Sequence, residues 1–268
     1  VYAVRRIARA FLYAGLAWLL LGQAGCSGPQ PDPEGRLLES ARRALLDGRF
    51  LQAQTAYQSY LQTYPQGSAR LEAWQRLVDI SQDAQGATGQ ATSLAEAALL
   101  EFGGDTPTAA ALDVRAARLR FDRKEYAKAV SHCRVVLDNP GAPDNSLLEC
   151  SLLAARSELA LGQGEKALAR YIACGQSRLP PSGKARCALA QAELLSRFQR
   201  DSEVEPLLQA VFQAADIDPA LRAQAGFDLG LLYEARNDKA AAKAVYEAVR
   251  PLHPNPMVVD KRLDSLQN

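Results

Sequence analysis

Apolar residues along this chain recur at three- and four-residue intervals and nowhere alternate with a period of two. Leu71, Trp74, Leu77 and Val78 form one such stripe, and Phe227, Leu231 and Leu232 form another. That spacing gathers apolar side chains on one face of a helix, whereas a half-buried strand would alternate in and out. Ala and Leu are frequent, Val and Ile sparse, and short polar breaks cut the stripes into segments. An all-α chain of short amphipathic helices is predicted, with no strand.

The breaks are periodic. Gly48, Gly86, Lys124, Gly162, Arg200 and Asn237 are separated by 38, 38, 38, 38 and 37 residues. Five residues after them stand Ala53, Ala91, Ala129, Ala167, Glu205 and Ala242. Nine residues after them stand Tyr57, Ala95, Cys133, Tyr171, Gln209 and Tyr246. Prolines recur late in the unit at Pro65, Pro140, Pro180, Pro219 and Pro254. An apolar stripe on each side of a break describes a helical hairpin, with alanine where its two helices approach most closely. Ser68, Thr106-Pro107, Ser182 and Asp218-Pro219 read as helix N-caps.

These columns resemble the tetratricopeptide repeat. Asp47-Gly-Arg-Phe-Leu-Gln-Ala-Gln-Thr-Ala-Tyr57 with Pro65 matches the second-helix motif of that family. Leu229-Gly230-Leu-Leu-Tyr233 with Ala242, Tyr246 and Pro254 matches its offsets, and Lys124-Glu-Tyr-Ala-Lys-Ala129 carries the same pattern. The second and fifth units depart from it. The resemblance implies a right-handed superhelical solenoid of about six hairpins over residues 36–254. Residues 255–268, with Val258, Val259, Leu263 and Leu266, read as a C-terminal capping helix.

The N-terminus reads as an address. Arg5, Arg6 and Arg9 precede an apolar run from Phe11 to Leu21, then Gly22-Gln-Ala-Gly-Cys26. A basic stretch, a short apolar core and small residues describe a secretory signal over residues 1–25. The apolar run is too short to cross a bilayer as a helix, which needs about 20 residues. Ala24-Gly25-Cys26 resembles the lipobox of bacterial lipoproteins, which implies lipidation of Cys26. Ser27 after the cysteine implies, by the same resemblance, sorting to the outer membrane, with the protein facing the periplasm. The Pro- and Gly-rich residues 26–35 read as an extended tether.

Four further cysteines, Cys133, Cys150, Cys174 and Cys187, make an even count outside the cytoplasm, where disulfides persist. Cys133 and Cys150 flank one helix–helix junction, and Cys174 and Cys187 the corresponding junction one repeat later. Bridges Cys133–Cys150 and Cys174–Cys187 are therefore expected, out of three possible connectivities.

Composition narrows the function. The chain has 31 Lys+Arg against 30 Asp+Glu, a net charge of +1, which lacks the basic excess of a nucleic-acid binder. Its two histidines, His132 and His253, leave little material for a catalytic or metal centre. No catalytic residue, cofactor or metal is expected, and the chain reads as a non-enzyme. In the family it resembles, the first helices line a concave groove. Arg42, Arg118 and Arg156 each stand six residues before a break, and Arg115 one turn before Arg118. These four are the candidate partner-binding residues; their alternative is surface pairing with Glu39 or Asp113. The expected role is a non-catalytic scaffold for envelope proteins or their peptide segments, held to the membrane by its lipid. The competing reading is a glycan-binding or wall-modifying protein that uses the same face.

Overall fold

The computed structural model describes residues 32–266; the expected signal segment, Cys26 and most of the expected tether lie outside the described residues. Among the described residues there are thirteen α-helices and no strand. The chain divides at Ala69/Arg70 into two compact units. The first is one hairpin, α1 (Pro33–Leu46) and α2 (Phe50–Thr63). The second runs α3 (Arg70–Asp79), α4 (Thr88–Phe102), α5 (Thr106–Asp122), α6 (Tyr126–Leu137), α7 (Asp144–Ala160), α8 (Gly164–Gln176), α9 (Pro181–Arg197), α10 (Asp201–Gln213), α11 (Pro219–Ala235) and α12 (Lys239–Val249). It closes with α13 (Pro256–Ser265). Each helix packs on the next, and α5, α7, α9 and α11 also stand side by side, which makes this unit an all-α repeat solenoid.

Helix α1 begins inside the stretch expected to be tether. Asp32 caps it by accepting from the Gly35 N–H, Pro33 takes the first helical position, and Glu34 sits in the positive first turn. Glu34 then accepts from the Tyr60 hydroxyl of α2 at 2.6 Å, and that hydroxyl accepts from the Ala69 N–H. Of the expected caps, Asp218 bonds the Ala220 N–H at 2.9 Å. Thr106 is instead the first helical residue, Ser182 lies within α9, and Ser68 precedes α3 by two residues.

A left-handed residue stands at the turn of each of the six hairpins. Gly48, Gly86, Lys124, Gly162, Gln199 and Asn237 have φ of 70°, 63°, 61°, 74°, 58° and 60°, the left-handed region. In five of the six the following N–H reaches the carbonyl five residues back, as in Arg49→Ala44, Glu125→Arg120, Gln163→Glu158, Arg200→Leu195 and Asp238→Tyr233. This double closure is the Schellman motif, which satisfies carbonyls that a helix end leaves unpaired. The exception follows α3, which widens into a π-helical turn at Ile80–Ala84. There the Ala87 N–H reaches six residues back, to Ser81.

The fifth turn corrects the sequence register. Its left-handed residue is Gln199, one position before the expected Arg200. Counted from Gln199, the fifth and ninth following residues become Val204 and Leu208 in place of Glu205 and Gln209, and both are buried. Ala53, Ala91, Ala129, Ala167 and Ala242 are fully buried in the first column. Tyr57, Ala95, Cys133, Tyr171 and Tyr246 are buried in the second. The displaced Glu205 instead accepts from the Tyr233 hydroxyl at 2.9 Å and pairs with Arg236, tying α10 to α11. Arg236 holds its carboxyl below the usual range.

Close approach has a second signature at the last hairpin. A Cβ on Gly230 would lie 2.3 Å from the Tyr246 ring, and one on Gly226 2.3 Å from Val249. Only hydrogen on these two α11 residues lets α12 pack so near.

Cys174 on α8 and Cys187 on α9 are disulfide-bonded, with Cα atoms 5.9 Å apart. The other expected bridge is not formed: Cys133 on α6 and Cys150 on α7 are both thiols. They touch, with the Cys150 thiol hydrogen-bonded to Cys133 and its pKa driven upward by that bond and by burial. Among Ala110, Val114, Val136, Leu147 and Leu153 the thiolate needed for disulfide exchange is disfavoured.

Two measurements check these assignments. Replacing Lys124 by Gly relieves a left-handed side chain and is expected to raise stability by about 0.5–1 kcal/mol, while Gly162→Ala lowers it by about 1 kcal/mol or more. Urea midpoints of the two variants should move in opposite directions. Alkylation of unreduced, denatured protein followed by peptide mapping should label Cys133 and Cys150, with Cys174 and Cys187 labelled only after reduction.

Candidate functional site

The first helices of successive hairpins present one continuous row of side chains, α3, α5, α7, α9 and α11. Two depressions lie along it. The smaller, about 350 Å³, is bordered by α3, α5 and the start of α7. It contains Arg115 and Arg118, both expected to contact a partner. Arg115 bonds Asp79 at 2.9 Å, and Arg118 pairs with Glu149. Arg76 approaches Asp79 as well, at 3.4 Å. Arg115 and Arg118 are thus answered by carboxylates of neighbouring helices, other than the Glu39 and Asp113 considered from sequence. Asp113 instead bonds His132 at 2.8 Å.

The larger depression is a groove of about 860 Å³. Helix α7 supplies Leu152, Arg156 and Leu159; α9 supplies Arg186, Leu189, Glu193 and Arg197; α11 supplies Leu221, Gln224, Asp228 and Leu231. On each helix these residues recur at three- and four-residue intervals, so one stripe per helix faces the groove. Its floor comes from the second helices, through Tyr171 of α8 and Val204 and Leu208 of α10, all buried. Beneath it Arg170 of α8 forks onto Glu158 of α7 at 2.9 and 2.5 Å, a carboxylate almost fully buried. The bidentate pair fixes the spacing of these helices where a monodentate contact would let it vary.

Arg156, the third expected partner residue, sits in this groove with its guanidinium 5.2 Å from the centre of the Phe121 ring. A cation over an aromatic face is held without its charge being neutralised. Arg42, the fourth, is exposed on α1 in the first compact unit. The structure therefore divides the four arginines among three places. Tyr57, Tyr60 and Tyr246 are fully buried, so they offer no face for sugar stacking.

The repeat columns change sign along this row. Arg118 and Arg156 stand six residues before their left-handed turn residues, and the equivalent residue before Gln199 is Glu193. Arg115 stands nine before Lys124, and the equivalent residue before Asn237 is Asp228. Asp228 is half-buried, and burial followed by repulsion from Glu193 pushes its pKa up to about 6. Among the described residues no hydrogen bond or ion pair offsets that cost. Its neighbour Glu193 is approached by Arg197, one turn away on the same helix, at 3.5 Å.

No protein-family model matches the sequence, and no curated protein matches it. Solved structures do share its fold. The apo form of RapI is similar at a TM-score of 0.60 and 10% identity, over 92% of this chain and 72% of that one. The apo quorum sensor NprR from B. thuringiensis is similar at 0.54 and 11%, over 98% of this chain and 76% of that one. BtubC from P. vanneervenii is similar at 0.53 and 18%, over 84% and 96%. At these identities the likeness establishes the all-α solenoid alone.

Among the described residues no group of three or more His, Cys, Asp or Glu is placed to hold a metal ion, and no helix is long and apolar enough to cross a membrane. What the groove does offer is aliphatic surface interrupted by charges of both signs. Such a surface suits recognition of an amphipathic segment.

The Asp228 carboxyl has a measurable signature. Its folded pKa lies above the ordinary 3.8, so its contribution favours the folded state at low pH and is lost as pH rises through about 6. Asp228→Asn should therefore be more stable than wild type at pH 8 by about 1–2 kcal/mol, less than the full displacement implies because the groove is open to water. The difference should vanish near pH 4, as read from urea unfolding at the two pH values.

Proposed function

We propose that this protein is a non-catalytic interaction scaffold whose α7–α9–α11 groove holds segments of partner proteins. The groove itself carries the reading: three stripes combine leucines with charges of both signs over a buried floor of Tyr171, Val204 and Leu208. A surface built by repetition suits an extended occupant, because each hairpin adds one further set of contacts in register.

The N-terminal sequence extends this proposal to location. A basic stretch, an apolar run and Ala24-Gly25-Cys26 support secretion and lipidation at Cys26. The chain would then act as an adaptor in the bacterial envelope, anchored in the outer membrane and facing the periplasm, in assembly of an outer-membrane or secretion complex. A lipid anchor needs no binding energy from the solenoid, since each buried CH₂ contributes about 0.8 kcal/mol.

Affinity purification of the full chain from its own membranes in mild detergent tests both parts. A stoichiometric protein should co-elute with wild type and be lost from Arg156→Glu/Arg186→Glu, with helicity unchanged; its retention refutes the groove. Cys26→Ser should release the chain from the membrane fraction, and continued sedimentation with membranes refutes the anchor.

A further inference from the structure

The α9–α11 end of the groove holds a carboxyl whose placement works against folding. Asp228 projects from α11 into a space bordered by Leu189, Leu221 and Leu231, so water solvates it poorly. The charge that acts on it is Glu193, of the same sign. Arg197, one turn from Glu193 on α9, is occupied with it and about two-thirds exposed. Elsewhere along the row carboxylates have partners: Asp79 takes Arg115, and Glu149 takes Arg118. Asp228 occupies the repeat position of Arg115, so this column changes sign along the row, while Arg186 and Arg197 of α9 line the same groove.

We propose that Asp228, with Glu193 beside it, receives the basic side chain of a lysine or arginine carried by the partner segment, while aliphatic residues flanking that side chain lie on Leu189, Leu221 and Leu231. A cation is the occupant that removes both penalties at once. It answers the desolvated carboxylate and screens it from Glu193, and its own aliphatic stem covers the leucines. An acidic segment would add a third negative charge to the site, and a purely apolar one would bury Asp228 further without pairing it. The proposal rests on the groove being a peptide site and adds which chemistry that site selects.

The test uses the immobilised full chain and a phage-displayed library of random dodecapeptides. Selected peptides are synthesised with a fluorescent label, and each basic residue is replaced in turn by norleucine. Peptides chosen by wild type should contain Lys or Arg between aliphatic residues. One norleucine replacement should weaken binding to wild type about tenfold or more, yet leave binding to Asp228→Asn nearly unchanged, the coupling expected of a direct pair. Selected peptides without a basic residue, or an equal norleucine effect on both proteins, would overturn the assignment. Leu221→Gln/Leu231→Gln separates the two levels of the argument. If that variant loses the peptides while Asp228→Asn retains the full norleucine effect, the groove reading stands and the cation site falls. If no peptide is selected, or if selected peptides bind this variant undiminished, the groove reading fails and the cation site with it.

Discussion

A helical hairpin closes tightly only where one residue turns left-handed. That residue redirects the chain and lets the next N–H reach back five positions, so the helix ends without orphaned carbonyls. The six such residues set the phase of everything that follows them. Five positions on lies the small buried side chain that admits the partner helix, and nine on lies a second buried one, larger than the first in five of the six hairpins. Because first helices are then placed at regular intervals, their outward stripes line up, and a groove results without any residue being dedicated to shaping it. Three of the turn residues are not glycine, which shows that the requirement lies in the backbone rather than in the residue type.

The groove inherits that regularity in position but not in charge. The column six residues before the turn holds arginine in units three and four and Glu193 in the fifth, and the column nine before it holds Arg115 in the third and Asp228 in the sixth. The basic side chains near α5 are paired internally, which rigidifies that end. At the other end a half-buried carboxyl stands unpaired beside a like charge. Local stability and recognition pull in opposite directions there, a common arrangement for surfaces that await a partner.

The helical architecture was legible because each element carries its own signal. Stripes marked the helices, Gly48, Gly86 and Gly162 marked three turns, and buried alanines marked the approach of paired helices. The fifth turn was misplaced by one residue because neither Gln199 nor Arg200 has a preference that advertises a left-handed backbone. The start of α1 was missed because Asp32-Pro33-Glu34 is equally compatible with a proline-rich tether; its capping bond distinguishes them. Equivalent repeat positions implied the same bonding for both cysteine pairs. Chemistry differs between them even so, since spacing says nothing of thiolate availability. The arginines of the row were visible as a column. Asp228 was not, because its significance depends on Glu193 and on leucines from other helices, neighbours that only folding brings together.

In an array where each hairpin leans mainly on its neighbours, the ends can fray while the middle persists. The Cys174–Cys187 bond crosses the junction between the fourth and fifth hairpins, tying α8 to α9. It turns two adjacent links of the chain into one block that must open together. Fraying that begins at α13 and moves inward would therefore consume α11 and its carboxyl first and halt at the covalent tie. The groove would lose one wall while keeping the other two and most of its floor, so the proposed cation site could come and go without dismantling the platform that presents it.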